Sequence, residues 1–549
     1  MLPLGSRRDY QAPVVTIRRP GEGNFTMSGF NLSAVDAALA RLPNQFRGPG
    51  GVAGIVKDGE VVAERAWGYA DLNARRPMTA ETRLPICSIS KQMTCALLLD
   101  LFGAPEALDD GLPALLPELQ GQMPTVAQLC HNQSGLRDYW ALTVLEGAVP
   151  EGRFTREDGL ALLSKARSTQ FQPGMSYSYS NGNFRLLAEL IERKTGRDFG
   201  ELLAERIFQP AGMTTAQLAA DTTQPLDGMV NYEGNDDIGF LPAGHGIYWF
   251  GDAGISASLR DMMAWERYID RTRDDPNALY RRISGPVFFA DGTPAAYGYG
   301  LRRDHFTGLE ATGHGGALRG SSSFRLHIAR ERLSVYVNFN FEGGANRAAW
   351  RLAEAALGRQ IEARPAPAQG WDGLWVDDTA GLFIRSRGTG AGVRLDYMHT
   401  PQMLAAESES RAVGAGLSID RDGQGLTMVR TGENLTVKGR PVDPVDVADG
   451  TEIAGRYRAP ESGAEIEITS HDGASFIGFS GSLGSGPVER VYPLSRDLWS
   501  VPSRRSMDAS PPGEWTLQIS RDAQGAVSGL VIGCWLARNL RYDRIGAEG

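Results

Sequence analysis

Val52-Ala-Gly-Ile-Val-Lys-Asp-Gly-Glu-Val-Val-Ala-Glu-Arg-Ala-Trp67 decides the fold of the first half of the chain. Two apolar, β-branched runs, 52–56 and 61–67, flank Asp58-Gly59, a dipeptide suited to the positive φ angles of a two-residue hairpin turn. Antiparallel sheet is therefore expected early, directly after a helical pattern over 31–42. Downstream the apolar period lengthens to that of helices over 88–102, 125–130, 156–167, 183–195 and 199–208. Strand patterns return at 298–302, 313–316, 322–328 and 333–339, the last two joined by a turn at 329–332, and a helix over 345–357 closes the region. Strands at both ends with helices between predict an α+β domain over residues 30–358. Residues 1–29 stand outside it as an extension, disordered or preceding the true start, for which Met27 is a candidate.

Working outward, Ala363-Arg-Pro-Ala-Pro-Ala-Gln-Gly370 is a connector, and residues 359–370 read as a linker. Beyond it helical periodicity gives way to short alternating strands punctuated by Gly, Asp and Ser. This tail repeats itself. Gly373 and Gly381 are spaced like Gly455 and Gly463, and Leu417-Ser-Ile-Asp-Arg-Asp-Gly-Gln-Gly425 reads like Leu517-Gln-Ile-Ser-Arg-Asp-Ala-Gln-Gly525. Two antiparallel β-barrel domains are expected, at 371–446 and 447–549. The second copy is longer, and its surplus falls around the turn-prone insertion 504–515, Arg-Arg-Ser-Met-Asp-Ala-Ser-Pro-Pro-Gly-Glu-Trp.

The 549 residues are 42% hydrophobic and 22% charged, enough for several ordinary cores and unlike a disordered, collagen-like or coiled-coil chain. A net charge of −9 gives no footing on phosphate backbones or anionic lipids, so neither nucleic acid nor membrane is an expected partner. Cys87, Cys95, Cys130 and Cys534 contain no CxxC pair and are expected as free, buried thiols. No apolar run reaches the ~18 residues of a membrane helix. No apolar signal core follows the basic N-terminal residues, and a cytoplasmic protein is expected.

Chemistry enters at Ser88-Ile-Ser-Lys91, where the helical pattern starts. The spacing puts a hydroxyl and an amine on one face a turn apart, and a lysine buried among hydrogen-bonding groups becomes neutral enough to take a serine's proton. Lysine occurs only at positions 57, 91, 165, 194 and 438, so the match is not a product of abundance. Tyr179-Ser-Asn181 follows the Gln172-Pro-Gly174 turn, and Gly313-His-Gly-Gly-Ala317 lies in a strand-like stretch. A tyrosine and an asparagine on a rigid loop can share the serine's proton network and hold a carbonyl, while a glycine-rich strand lets backbone amides approach it. Tyr336-Val-Asn338 matches the same short pattern but sits in an alternating strand, so Tyr179 is preferred.

These motifs, with Leu129-Cys-His-Asn-Gln-Ser-Gly-Leu136, resemble the penicillin-recognising serine hydrolases, the β-lactamase and DD-peptidase superfamily. The two trailing β modules, the loop around Ser506-Met-Asp-Ala509 and the His-Gly-Gly triplet narrow the resemblance to the D-aminopeptidases of peptidase family S12. It implies Ser88 as the acylated nucleophile, Lys91 and Tyr179 as the proton-transfer pair with the general base left open between them, and Asn181 as a substrate-positioning group. Ser88 and Ala317 would lend amides to the oxyanion hole, beside Gly315 and Gly316. His314 would replace the lysine of the superfamily's K-T-G triplet, where carboxypeptidases and β-lactamases hold a substrate carboxylate with a fixed positive charge, a task a neutral histidine performs poorly. Asp508, on the inserted loop, would meet a substrate's free α-amino group.

The expected activity is hydrolysis of small N-terminal D-residues (D-Ala, Gly, D-Ser) from peptides, amides and esters through a serine acyl-enzyme, in a homodimer whose partner is a small peptide or amino-acid amide. A D-Ala-D-Ala carboxypeptidase, a β-lactamase or an esterase keeps the chemistry and changes the substrate, with Arg319 as a possible carboxylate-binding cation. A non-catalytic binding protein with a vestigial site is the remote alternative. The other histidines (131, 245, 305, 327, 399 and 471) show no ligand spacing, so no metal or cofactor is expected. Trp140, Trp249 and Trp371 read as packing residues.

Overall fold

A computed structural model describes residues 30–359, 366–502, 506–507 and 512–546. The N-terminal extension, residues 360–365 of the connector and Asp508 lie outside the described residues.

Helix α1 (Leu32–Gln45) precedes β1 (Gly50–Lys57) and β2 (Glu60–Asp71), which pair antiparallel around Asp58 (φ 53°) and Gly59 (φ 81°), as the sequence predicts. Then come β3 (Arg76–Pro77), α2 (Ser90–Phe102), α3 (Asn181–Thr195) and α4 (Leu259–Arg271). The remaining strands are β4 (Tyr297–Gly298), β5 (Leu301–Phe306), β6 (Leu309–Leu318), β7 (Ser321–Ile328) and β8 (Leu333–Phe339), followed by α5 (Ala345–Leu357). All eight strands form one antiparallel sheet in the order β4-β5-β6-β7-β8-β1-β2-β3. The N-terminal hairpin thus closes onto the last strand, Val52 opposite Asn338.

Both faces of this sheet are covered, so β8 is buried at every position. Val335 and Val337 pack with Val35 and Leu39 of α1 and Leu352 of α5, whereas Tyr336 joins the core on the other side with Met262 and Met263 of α4. Gly54 admits α4 onto β1, since a Cβ there would lie 2.5 Å from the Met263 sulfur. Helix α4 carries no sequence prediction, although Ser258 and Asp261 form a capping box at its start. The strand expected at 298–302 is two strands, because Tyr299 and Gly300 both take positive φ, and a Cβ on Gly300 would press within 2.5 Å of the Gln92 amide nitrogen. The helix expected at 199–208 runs as an α-helix over Phe199–Leu203 and widens into a π turn over Ala204–Phe208.

The two repeats are two closed eight-stranded barrels. The first runs from Gly373–Asp377 to Leu435–Pro441, and the strands at its two ends pair. The second runs from Gly455–Arg458 to Ala537–Ile545 and closes by pairing Glu465–His471 with Ala474–Gly481, a short strand, Gly484–Ser485, being appended at its side. The three units share their cores. Ala141 and Leu145 of the first domain enter the core of the second barrel, Trp535 of the second barrel enters that of the first, and Met507 packs into the core of the first domain. Trp140, Trp249 and Trp371 are buried, and so are all four cysteines.

Across β7, Arg325 stands opposite His314 of β6 and meets Glu266 of α4 in a two-pronged pair, 2.7 and 2.9 Å, with both side chains fully buried. Glu266→Ala leaves that guanidinium buried without its counter-charge, and the expected cost is ~3–5 kcal/mol. Urea unfolding checks it as a lowered midpoint with an unchanged slope.

Candidate active site

Ser88 lies in a single 3-10 turn, Cys87–Ile89, that runs into α2. Cys87 holds φ 52°, a left-handed angle that costs a non-glycine residue of order 1 kcal/mol or more and turns the half-buried Ser88 toward the cleft. One turn on, the fully buried Lys91 directs its Nζ at the Ser88 Oγ (2.9 Å), the Asn181 Oδ1 (2.8 Å) and the Asp252 carbonyl oxygen (2.7 Å). The Tyr179 ring centroid is 5.0 Å from the same nitrogen. Three segments far apart in sequence therefore converge on one amine.

Each acceptor is itself held. The Asp252 carboxylate takes the Phe250 and Ala253 amides at 3.1 Å and the Tyr139 hydroxyl at 2.6 Å, which fixes the loop whose carbonyl meets Lys91. The Asp138 carboxylate takes the Asn181 amide at 2.7 Å and its side-chain Nδ2 at 3.3 Å. Burial pushes the Asp138 carboxyl up to about 7 against the opposing pull of the Asn181 bonds and the Lys91 charge. Asp138, Tyr139, Asp252 and Tyr297 went unrecognised in the sequence, since no spacing ties them to the motifs.

His314 is buried on β6 between Tyr297 and its own backbone. Burial first, then the Lys91 charge, pushes its pKa down to about 3, so the ring is neutral near pH 7. The Gly315 carbonyl can only accept, so Nδ1 carries the proton, and Nε2 accepts from the Tyr297 hydroxyl at 3.0 Å. Gly316 is where β6 passes the Ser88 turn: a Cβ there would lie 2.6 Å from the Ile86 carbonyl oxygen and 2.8 Å from the Cys87 Cβ. Ala317, next along, is opposite Ser322 with its side chain exposed. Arg319 is taken up by Glu233 (2.9 Å) and Glu151 (2.7 Å). Tyr336 is wholly buried in the sheet core, its hydroxyl accepting from the Asn338 Nδ2 at 2.9 Å.

Both barrels hold the Tyr179 loop. The Glu433 carbonyl of the first barrel accepts the Ser176 hydroxyl (2.7 Å) and the Tyr177 amide (3.2 Å), and the Trp535 carbonyl of the second accepts the Ser178 hydroxyl (3.4 Å). Ser506 and Met507, beside Asp508, are buried. Among the described residues no cluster of His, Cys, Asp or Glu is arranged to hold a metal, and no helix is long and apolar enough to cross a membrane.

The sequence profile described as Beta-lactamase matches residues 35–358, and that described as D-aminopeptidase, domain B matches residues 364–543. D-aminopeptidases of Cereibacter sphaeroides and Brucella anthropi are 54% and 48% identical over 515 and 526 residues, covering 94% of this chain and 99% and 100% of theirs. Among solved structures, the octameric penicillin-binding protein homologue from Pyrococcus abyssi superposes with a TM-score of 0.54 at 19% identity, covering 74% of this chain and 99% of that one. SurE superposes with a TM-score of 0.50 at 19% identity over 94% of this chain and 99% of its own. At that identity the structural likeness speaks to the fold alone.

Gly316→Ala forces β6 off the Ser88 turn. A displacement near 1 Å at a reacting centre costs ~10²-fold in rate. The expected result is that loss in kcat/KM with the unfolding midpoint lowered only slightly, measured by steady-state hydrolysis and thermal denaturation.

Proposed function

We propose how this chain, which belongs to the D-aminopeptidase family, works: it releases small N-terminal D-residues from peptides, amides and esters through an acyl-enzyme on Ser88. The observation that carries the proposal is the triple contact of Lys91 with Ser88, Asn181 and Asp252. Asn181 Oδ1 and the Asp252 carbonyl can only accept, whereas the Ser88 hydroxyl can also donate. Once it has given up its own proton, the amine gives two hydrogens to those oxygens, turns its lone pair to the Ser88 hydroxyl and takes its proton as Oγ attacks the substrate carbonyl. Tyr179 completes the pair and passes the proton to the leaving amine. Water then enters by the same route in reverse and frees the acid.

The amides of Ser88 and Ala317 serve the oxyanion, and Asn181 Nδ2 orients the substrate carbonyl beside Gly315 and Gly316. His314 is neutral and Arg319 is already paired with two glutamates, so neither offers the free positive charge that a carboxypeptidase or a β-lactamase requires. Asp508 is assigned to the substrate ammonium. The buried Met507 next to it supports delivery of that loop to the catalytic domain.

The test compares D-Ala, L-Ala and N-acetyl-D-Ala p-nitroanilides with wild type, Asp508→Ala and Ser88→Ala. Wild type is expected to turn over the free D-substrate alone, and Ser88→Ala none. Loss of a charge partner costs about 2 kcal/mol or more, so Asp508→Ala should lose at least ~30-fold in kcat/KM. Equal cleavage of the acetylated compound would overturn amino-group recognition.

A further inference from the structure

Asp138 occupies the cap position of the helix Tyr139–Leu145, yet its side chain makes no capping bond to that helix. An aspartate there ordinarily accepts an amide of the first turn. Here both carboxylate oxygens go instead to one residue of another helix, Oδ1 to the Asn181 main-chain N–H and Oδ2 to the Asn181 Nδ2. The side chain is buried, which penalises the charged form of a carboxylate. Tyr139, Lys91, Asp252 and Cys534 are the titratable groups that face it. A buried carboxylate that forgoes its own cap and spends both oxygens on one partner is placed for that partner.

The partner's orientation is the point at issue. The Asn181 amide presents oxygen to Lys91 at 2.8 Å and nitrogen to Asp138 at 3.3 Å. Turned over, it would set an NH2 against the lysine amine and an oxygen against a carboxylate oxygen, donor against donor and acceptor against acceptor. In its ionised form, which the two Asn181 hydrogen bonds and the Lys91 charge favour against burial, the carboxylate has nothing to donate and enforces the first arrangement, whereas an asparagine in its place can meet either face of the amide. Asp138 is fixed in turn from the C-terminal side of the chain. Its amide donates to the Leu536 carbonyl oxygen at 2.9 Å, and the preceding Arg137 Nε donates to the Arg538 carbonyl oxygen at 2.9 Å, both on the hairpin that joins the last two strands of the second barrel.

We propose that Asp138 is a positioning residue of this site, acting through Asn181: its carboxylate locks the Asn181 amide with oxygen on Lys91 and one hydrogen of the nitrogen on Asp138, leaving the other for the substrate, and the second barrel's hairpin holds the carboxylate in place. The inference rests on the serine acyl-transfer reading above and adds to it a residue outside the motifs and a catalytic reason for the second barrel.

A double-mutant cycle with D-Ala p-nitroanilide tests it, using Asp138→Asn, Asn181→Ala and the two together. Folding is monitored by gel filtration and circular dichroism, with Asp138→Ser as the substitute should Asp138→Asn not fold. Asp138→Asn alone should lower kcat ~10- to 100-fold while KM moves less than ~3-fold, because the amide's alignment serves the proton transfer more than binding. In the Asn181→Ala background the same change should cost less than ~3-fold, since its target is gone. Losses that multiply in the double variant, or an Asp138→Asn enzyme within ~2-fold of wild type, overturn the proposal. Wild type and Ser88→Ala run alongside. Undiminished hydrolysis by Ser88→Ala defeats the serine reading itself, whereas a Ser88-dependent enzyme with multiplicative losses defeats only the role of Asp138.

Discussion

A lysine amine with no exposed surface has to be surrounded by oxygens, and the rest of this site is arranged to supply them. Leaving such a group unpaired in the interior is among the costliest errors a fold can make. Lys91 is met by Ser88 from its own helix, by Asn181 at the start of α3 and by the Asp252 carbonyl from the segment leading to α4. The mutual placement of three helices is thereby tied to one nitrogen. Two of the three oxygens are in turn anchored by a buried acid, Asp138 for Asn181 and the Asp252 side chain for its own loop. A few polar contacts in an otherwise apolar core can specify geometry to this degree only because every partner is satisfied.

The same constraint gives a role to the two barrels that follow the α+β domain. The loop bearing Tyr179 has little regular structure of its own, and loops of that kind are the easily opened parts of a protein. Carbonyls from Glu433 and Trp535 take its hydroxyl and amide donors, and the interleaved cores prevent the barrels from drifting away from it. Met507 reaches from the second barrel into the first domain's core. Preorganisation is bought here with domains rather than with a larger catalytic core.

Much of this was legible in the sequence because the signals are local. The Asp58-Gly59 hairpin, the Ser88-x-x-Lys91 turn and the paired barrel repeats each fit within a short window whose period or spacing has one physical meaning. The decoy Tyr336-Val-Asn338 was separable from Tyr179-Ser-Asn181 because strand alternation commits Tyr336 to the core. What escaped depends on contacts between distant segments. Asp138, Asp252 and Tyr297 become site residues only when α3, the approach to α4 and β4 are brought together, and Cys87 betrays nothing of its positive φ. Helix α4 was readable in principle, since Ser258-x-x-Asp261 precedes an amphipathic run, but the long stretch between the central helices and the returning strands offered no other landmark.

The central claim, that an amine enclosed by Ser88, Asn181 and Asp252 activates Ser88 for acyl transfer, is tested most directly by trapping the intermediate. Wild-type enzyme mixed with a D-alanine aryl ester and quenched in acid at successive times is digested, and its peptides are weighed. The account predicts a transient D-alanyl adduct confined to the peptide that contains Ser88, delayed in Lys91→Ala and missing from Ser88→Ala. An adduct on any other residue, or one that forms as readily without Ser88, would contradict it.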